Sequence, residues 1–228
     1  MAYLLHIETS TDICSVALSE NDTLIQLSES EVPYTHASRL TPLIQALTAK
    51  VGWSLNQLDA VCLSSGPGSY TSLRIGTATA KGLCYALDRP LVVVDTLWAL
   101  ALASKSEREG SVLYAPMIDA RRMEVYTALF DAMGNYVTQT EAKILDENSF
   151  GSYFAKGHII VFSGNGSPKF RDLLPTSNLA FFSPVRCSAA HLIRLGQQAY
   201  RDQQFADTAY YTPRYLKRPN VTRAKPRL

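Results

Sequence analysis

The order of hydrophobic patterns along the 228 residues predicts an α/β protein built from two duplicated lobes. Three observations carry this expectation. Short apolar or alternating runs with strand periodicity are interleaved with helical patterns, the order expected of layered α/β architecture. Their sequence reads βββαβαβα from the N-terminus and then βββαβαβα again, as a duplication would leave it. Hydrophobic residues make up 46% of the chain and charged residues 18%, which is enough apolar surface for real cores in a chain longer than the usual single-core size. The expected division is an N-terminal lobe over residues 1–106, a second lobe over 107–211 and a basic tail over 212–228.

Tyr3 to Glu8 is an apolar run suited to a buried strand, and Thr9-Ser10-Thr11-Asp12 is a polar turn. Cys14, Val16 and Leu18 alternate with smaller residues as a second strand, and Asn21-Asp22 turns the chain into a third over Thr23 to Glu29. Pro33 breaks this meander. Leu40, Leu43, Ile44, Leu47 and Val51 then recur at helical spacing, with Gly52 as the stop and Pro42 expected near the first turn. Ser54 and Gln57 have capping-box spacing ahead of an apolar strand at Asp59 to Leu63. Gly66-Pro67-Gly68 ends that strand and opens a helix capped by Ser69 or Thr71. Leu91 to Val94 is a β-branched strand, and Thr96 caps a helix to about Ser104.

The second half repeats the order. Val112 to Ile118 is an apolar strand, Asp119-Ala120-Arg121-Arg122 a polar turn, Glu124 to Phe130 an alternating strand, and Gly134-Asn135 turns into a third strand ending near Glu141. Ser149 begins a short helix, Ile159 to Ser163 is a buried strand, and Gly164-Asn165-Gly166 precedes a helix ending near Pro175. Leu179 to Phe182 and a helix over Ala190 to Asp202 complete the repeat.

The helix after Gly68 carries two rows of small residues, Gly76-Ala80-Cys84 and Ala78-Gly82-Ala86, at spacing four. An interior helical glycine costs roughly 1 kcal/mol relative to alanine, so close packing by another backbone is the expected compensation. With the apolar stripe of the preceding helix this defines a candidate partner face: Leu40, Leu43, Ile44, Leu47, Leu73, Gly76, Thr77, Ala80 and Leu83. The glycine-rich elbow itself lacks both GxxxxGKS/T and GxGxxG, and Pro67 removes an N–H, so a structural elbow is favoured over a phosphate cradle.

Composition excludes several classes. No apolar run approaches the roughly 20 residues of a membrane span, and the N-terminus lacks a secretory pattern, so a soluble, cytoplasmic protein is expected. Cys14, Cys62, Cys84 and Cys187 form no CxxC pair and read as buried free thiols. His6, His36, His158 and His191 have no metal-ligand spacing: His6 reads as a core histidine and His36 as exposed or capping. Ser64-Ser65 lacks a histidine partner and a GxSxG context, and Asp119 with Glu124 reads as a turn rather than a carboxylate pair. Neither a catalytic residue nor a cofactor is assigned. The net charge of +2 conceals a tail with Arg214, Lys217, Arg218, Arg223, Lys225 and Arg227 and no acid, the candidate nucleic-acid contacts.

Two such lobes side by side resemble the actin-like, sugar-kinase and Hsp70 plan, a ribonuclease H-like fold. In that plan the turn after each lobe's first strand holds nucleotide phosphates. Here those turns are Glu8 to Asp12 and Asp119 to Arg122, and neither contains the glycine that close phosphate approach requires. ETSTDICSVAL (Glu8 to Leu18), GPGSYTSLRIG (Gly66 to Gly76), DARRMEVY (Asp119 to Tyr126) and PRYLKRP (Pro213 to Pro219), in that order, resemble the TsaB or YeaZ family over essentially the whole chain. The chain departs from the commoner family pattern at Glu8, where Asp is usual, and at Ser72, where Gly is usual. The resemblance implies a non-catalytic partner of TsaD in the synthesis of threonylcarbamoyladenosine in tRNA, with the ATPase TsaE joining and a homodimer competing for the same face. The related catalytic subunit carries HxxxH early in its first helix, whereas Thr35 to Leu40 here holds His36 alone. A stand-alone nucleotide phosphotransferase or metal-dependent glycoprotease is the alternative.

Overall fold

The computed structural model describes residues 1–30, 32, 35–108, 110–174 and 177–217. The first half runs β1 (Tyr3–Glu8), β2 (Cys14–Glu20), β3 (Thr23–Ser30), α1 (His36–Val51), β4 (Ala60–Ser64), α2 (Tyr70–Leu87), β5 (Leu91–Val94) and α3 (Thr96–Ala103). The second runs β6 (Val112–Asp119), β7 (Glu124–Thr127), β8 (Glu141–Ile144), α4 (Gly151–Phe154), β9 (Ile159–Ser163), α5 (Ser167–Arg171), β10 (Ala180–Phe182), α6 (Ile193–Arg201) and β11 (Phe205–Ala206). The sheets have the orders β11-β5-β4-β1-β2-β3 and β10-β9-β6-β7-β8. Leaving out β11, the two are the same arrangement: an antiparallel three-strand meander whose first strand pairs in parallel with a fourth strand, which in turn pairs in parallel with a fifth. The duplication read from the sequence is therefore a duplication of topology.

Strand periodicity explains the cores. In β6, Val112, Tyr114 and Ile118 face one cluster with α3, while Leu113, Ala115 and Met117 face the phenylalanine cluster of Phe150, Phe162 and Phe170. In β1 and β4, Leu5, Ile7, Val61 and Leu63 face α1 and α2, and Leu4, Ala60 and Cys62 face Leu192 and Leu195 on the other side. The run TLWALALA of α3 is apolar nearly all round because Leu97 and Leu100 pack on the second sheet while Ala99 packs on the first.

Several expectations shift. The second lobe does not run to residue 211: α6 packs on β5 and β1, and β11 adds antiparallel to β5, so the chain returns to the first lobe after Cys187. Lobe membership is a long-range contact that local periodicity does not encode. Pro42 sits inside α1 rather than in its first turn, on the exposed side where its missing N–H is least costly. Asp95, not Thr96, caps α3, accepting the Trp98 N–H at 3.0 Å. The third strand of the second half begins only at Glu141, because residues near Phe130 form isolated bridges with Tyr114 and Tyr136 instead. Ser54 and Gln57 form the expected capping box, on a single 3-10 turn.

His6 is a buried core residue whose Nε2 lies 2.8 Å from the Ser19 hydroxyl, which also accepts from Gln197 at 3.1 Å. Gly196 of α6 leaves room for the ring, since a Cβ there would lie 3.1 Å from its Cε1. Burial lowers the His6 pKa to about 3. A folded pKa below the unfolded value near 6.5 means full stabilisation above pH 6.5 and progressive loss as pH falls toward 3, about 1.4 kcal/mol per pH unit. In urea titrations between pH 6.5 and 5, His6→Gln is expected to flatten this dependence by that amount. Parallel wild-type and variant curves would refute it.

Candidate functional site: the interlobe turns and the two-helix face

The turns after β1 and β6 face each other across the lobes, and each is closed by its own first carboxylate. Glu8 Oε1 accepts the Ser10 N–H at 2.6 Å, and Asp119 Oδ1 accepts the Arg121 N–H at 2.6 Å, the same i to i+2 bond in both copies. The Glu8 carboxyl is buried, which raises its pKa, while the neighbouring Ser10 and Ser64 oppose the rise. Asn165 joins the turns: its Oδ1 accepts the Asp119 N–H at 3.0 Å and its Nδ2 donates to Asp12 Oδ1 at 3.2 Å. Within the first lobe, Ala189 N–H donates to Ser15 Oγ at 2.8 Å and Ser188 Oγ donates to Glu29 at 2.7 Å, which seats the segment after Cys187 on β2 and β3.

The Gly66–Ser69 elbow seals the first turn. Ser69 N–H donates to the Ser10 carbonyl at 2.7 Å, and a Cβ on Gly68 would fall 2.3 Å from that oxygen, so only glycine fits. Ser69 rather than Thr71 caps α2. The elbow packs directly against the first turn.

Residues 207–217 form a strap across both lobes. Lys81 donates to the carbonyls of Ala209 and Tyr211 at 3.0 and 3.2 Å, Arg214 N–H donates to the Ser65 carbonyl at 2.8 Å, and Tyr215 lies 4.6 Å from Tyr70 between ring centroids. The Arg214 guanidinium pairs with Asp95 at 3.0 Å in the first lobe, and Lys217 pairs with Glu124 in the second. Of the expected nucleic-acid contacts, Arg214 and Lys217 are each paired with a carboxylate, with side chains 46% and 44% exposed. Arg218, Arg223, Lys225 and Arg227 lie outside the described residues.

The candidate partner face also needs correction. Leu40, Ile44, Leu47, Leu73, Gly76, Thr77 and Ala80 are buried within the chain, and Leu43 and Leu83 are half-buried. The row Gly76-Ala80-Cys84 faces inward, and a Cβ on Gly76 would fall 2.2 Å from Thr9 Oγ1. Its close partner is the first turn. The other row is the outward one: Ala78, Gly82 and Ala86 are exposed beside Arg74 and the 88%-exposed Tyr85, while Pro42, Ala46 and Ala49 are exposed on the neighbouring α1. Periodicity finds both rows but cannot tell which one meets the sheet.

The remaining candidates resolve simply. His36 is buried, with Nε2 3.3 Å from the Ile13 carbonyl, rather than exposed or capping, because α1 begins at this residue and turns it onto the β1–β2 connection. Asp119 and Glu124 are a turn and two lysine contacts, since Lys169 meets Asp119 at 2.5 Å. All four cysteines are buried and free, and burial raises the thiol pKa of each. Among the described residues no group of three His, Cys, Asp or Glu side chains could hold a metal ion, and no helix is long and apolar enough to cross a membrane.

This arrangement defines the chain as a two-lobed protein of the actin-like fold, with the cleft turns occupied by its own carboxylates. Component A of the Acidaminococcus fermentans (R)-2-hydroxyglutaryl-CoA dehydratase, 9% identical with a TM-score of 0.51 over 90% of this chain and 100% of that one, shares the fold alone. The family model of the tRNA N6-adenosine threonylcarbamoyltransferase TsaD matches residues 30–225, and the chain belongs to that protein family. Its resemblance within the family is to TsaB or YeaZ. The tRNA threonylcarbamoyladenosine biosynthesis protein TsaB of Haemophilus influenzae is 38% identical over 54% of this chain, and the Escherichia coli protein of that name 34% identical over 63%. Those matches span 51% and 63% of the two relatives, whereas the Bacillus subtilis TsaB match, 27% identical, spans 94% of this chain and 93% of that protein. The solved structure of YeaZ from Pseudomonas aeruginosa is 27% identical with a TM-score of 0.80, covering 95% of this chain and 100% of that chain.

The two glycines of α2 make opposite forecasts. Gly82→Ala, with nothing within 4 Å of the new carbon, is expected to stabilise the monomer by about 0.5–1 kcal/mol. Gly76→Ala must displace Thr9 and is expected to destabilise by about 1–3 kcal/mol. Denaturant midpoints below the oligomerisation range check both, and equal shifts would refute the assignment of the inward row.

Proposed function

We propose that this chain is the non-catalytic partner of TsaD in the synthesis of threonylcarbamoyladenosine in tRNA, beside the anticodon, acting in the cytoplasm. In this reading it holds and activates TsaD, and TsaE, an ATPase, joins the pair. The observation that carries the reading is the cleft. Where an actin-like enzyme would present free N–H groups to phosphate, Glu8 and Asp119 occupy the Ser10 and Arg121 N–H groups with their own carboxyl oxygens. The names of the relatives supply the pathway.

The contact with TsaD is the outward face of α1 and α2. Its side chains are small at Ala46, Ala49, Ala78, Gly82 and Ala86, which permits close helix approach, and Tyr85 supplies an aromatic anchor. A second copy of the chain competes for this face as an isologous homodimer. The inward-facing leucines named from the sequence support the face from beneath.

Reconstitution tests the function. TsaD of the same organism, with TsaE, threonylcarbamoyl-adenylate and unmodified tRNA, is expected to form the modified nucleoside only when this chain is present; equal product without it would overturn the reading. Ala78→Arg is expected to weaken both the homodimer and TsaD capture at least about tenfold by sedimentation, with an unchanged circular dichroism spectrum. Unchanged affinity in both assemblies would move the interface elsewhere.

A further inference from the structure

We propose that residues 207–217 are a releasable clasp between the lobes, with a fixed end on α2 and the first lobe and a loose end where Lys217 meets Glu124. The two ends differ in kind. At the fixed end, Lys81 of α2 holds the Ala209 and Tyr211 carbonyls, the Tyr211 side chain packs on the first-lobe core, and Pro213 is buried. Arg214 then gives its N–H to the Ser65 carbonyl and its guanidinium to Asp95, and the Tyr215 ring meets Tyr70 at the start of α2. Among the described residues the one ion pair from the strap to the second lobe is Lys217 with Glu124, and its side chains are 44% and 17% exposed. An ion pair this open to water is weak and is screened by salt, whereas the backbone hydrogen bonds and buried apolar contacts of the fixed end are not.

Beside the loose end the lobes leave space. Tyr136 to Thr140, of the connection between β7 and β8, and Arg214 line a cavity of about 390 Å³. Close-packed interiors contain few voids larger than a water molecule, so packing at this junction does not lock the second lobe. Its position rests on the clasp, on the Asn165 bridge between the turns and on α3, which packs on both sheets. The Lys217 and Asn165 contacts are polar bonds at the surface, and α3 is the hinge about which the second lobe shifts when they part. Because Lys81 and Tyr70 belong to α2, the clasp also makes the position of the second lobe depend on how that helix is held.

The test reads the interlobe distance in the full chain. All four native thiols are buried, so spin labels at Thr23→Cys on β3 and Lys156→Cys beyond α4, both exposed, report it by double electron resonance. Labelled chain is diluted with unlabelled chain to suppress distances between copies. At about 50 mM salt one narrow distance is expected, and at about 500 mM, where the Debye length falls to a few ångströms, a second population is expected beside it. Lys217→Glu is expected to show the second population already at the lower salt, and Lys217→Glu with Glu124→Lys to restore the single distance. Tyr70→Ala with Lys81→Met leaves that ion pair intact and is expected to release the lobe as well, because it frees the fixed end. An unchanged distance in this last variant would reveal a merely local ion pair and overturn the proposal, as would a single distance at both salts in the chain with an unaltered strap. Circular dichroism checks the fold of each variant, and the salt comparison decides the question where a variant does not fold.

Discussion

The hydrogen bond from Ser69 N–H to the Ser10 carbonyl, with Gly68 pressed against the same oxygen, is the contact on which the rest of the molecule depends. It holds the start of α2 against the first turn. From there the helix runs so that Gly76 meets Thr9 and Leu73 enters the interior, which decides that Ala78, Gly82 and Tyr85 face outward. The same elbow offers the Ser65 carbonyl to Arg214, and so gives the strap its seat. Only a residue without a Cβ permits this approach, which is why glycine occupies positions where its backbone entropy is unfavourable.

The electrostatics of the cleft follow from a short-range choice made twice. A carboxylate two residues before a turn N–H bonds it locally, as Asp and Asn side chains do in turns. Asn165, a neutral amide able to accept from the Asp119 N–H on one side and donate to Asp12 on the other, connects the two turns without adding charge. Lysines then satisfy the outer acids of the second turn, and Arg121 and Arg122 are left over.

Much of the fold was legible because its signals are local. The apolar runs of β1 and β6, the alternation of β2, the helical spacing of α1 and the Ser54–Gln57 capping box all depend on residues a few positions apart, and they stand where the patterns place them. The site was legible in part. The parallel positions of Glu8 before Ser10 and Asp119 before Arg121 were visible as a repeated motif, although the bonds they make were not read from it. Asn165 and the strap gave no such sign, since their partners lie 153 and 119 residues away.

The amino-acid sequence by itself determined the order of elements, their duplication, the two small-residue rows and the absence of a phosphate-binding glycine motif, because each is a matter of side-chain type at short spacing. Tertiary structure alone decided which row of α2 is buried, that α6 and β11 rejoin the first sheet, that His36 is enclosed, and that Arg214 pairs with Asp95 while Lys217 reaches Glu124 of the second lobe. The physical reason is the same in each case. A helix or a charged side chain carries several possible partners in its sequence, and the choice among them is made by which distant surface folding brings within a few ångströms.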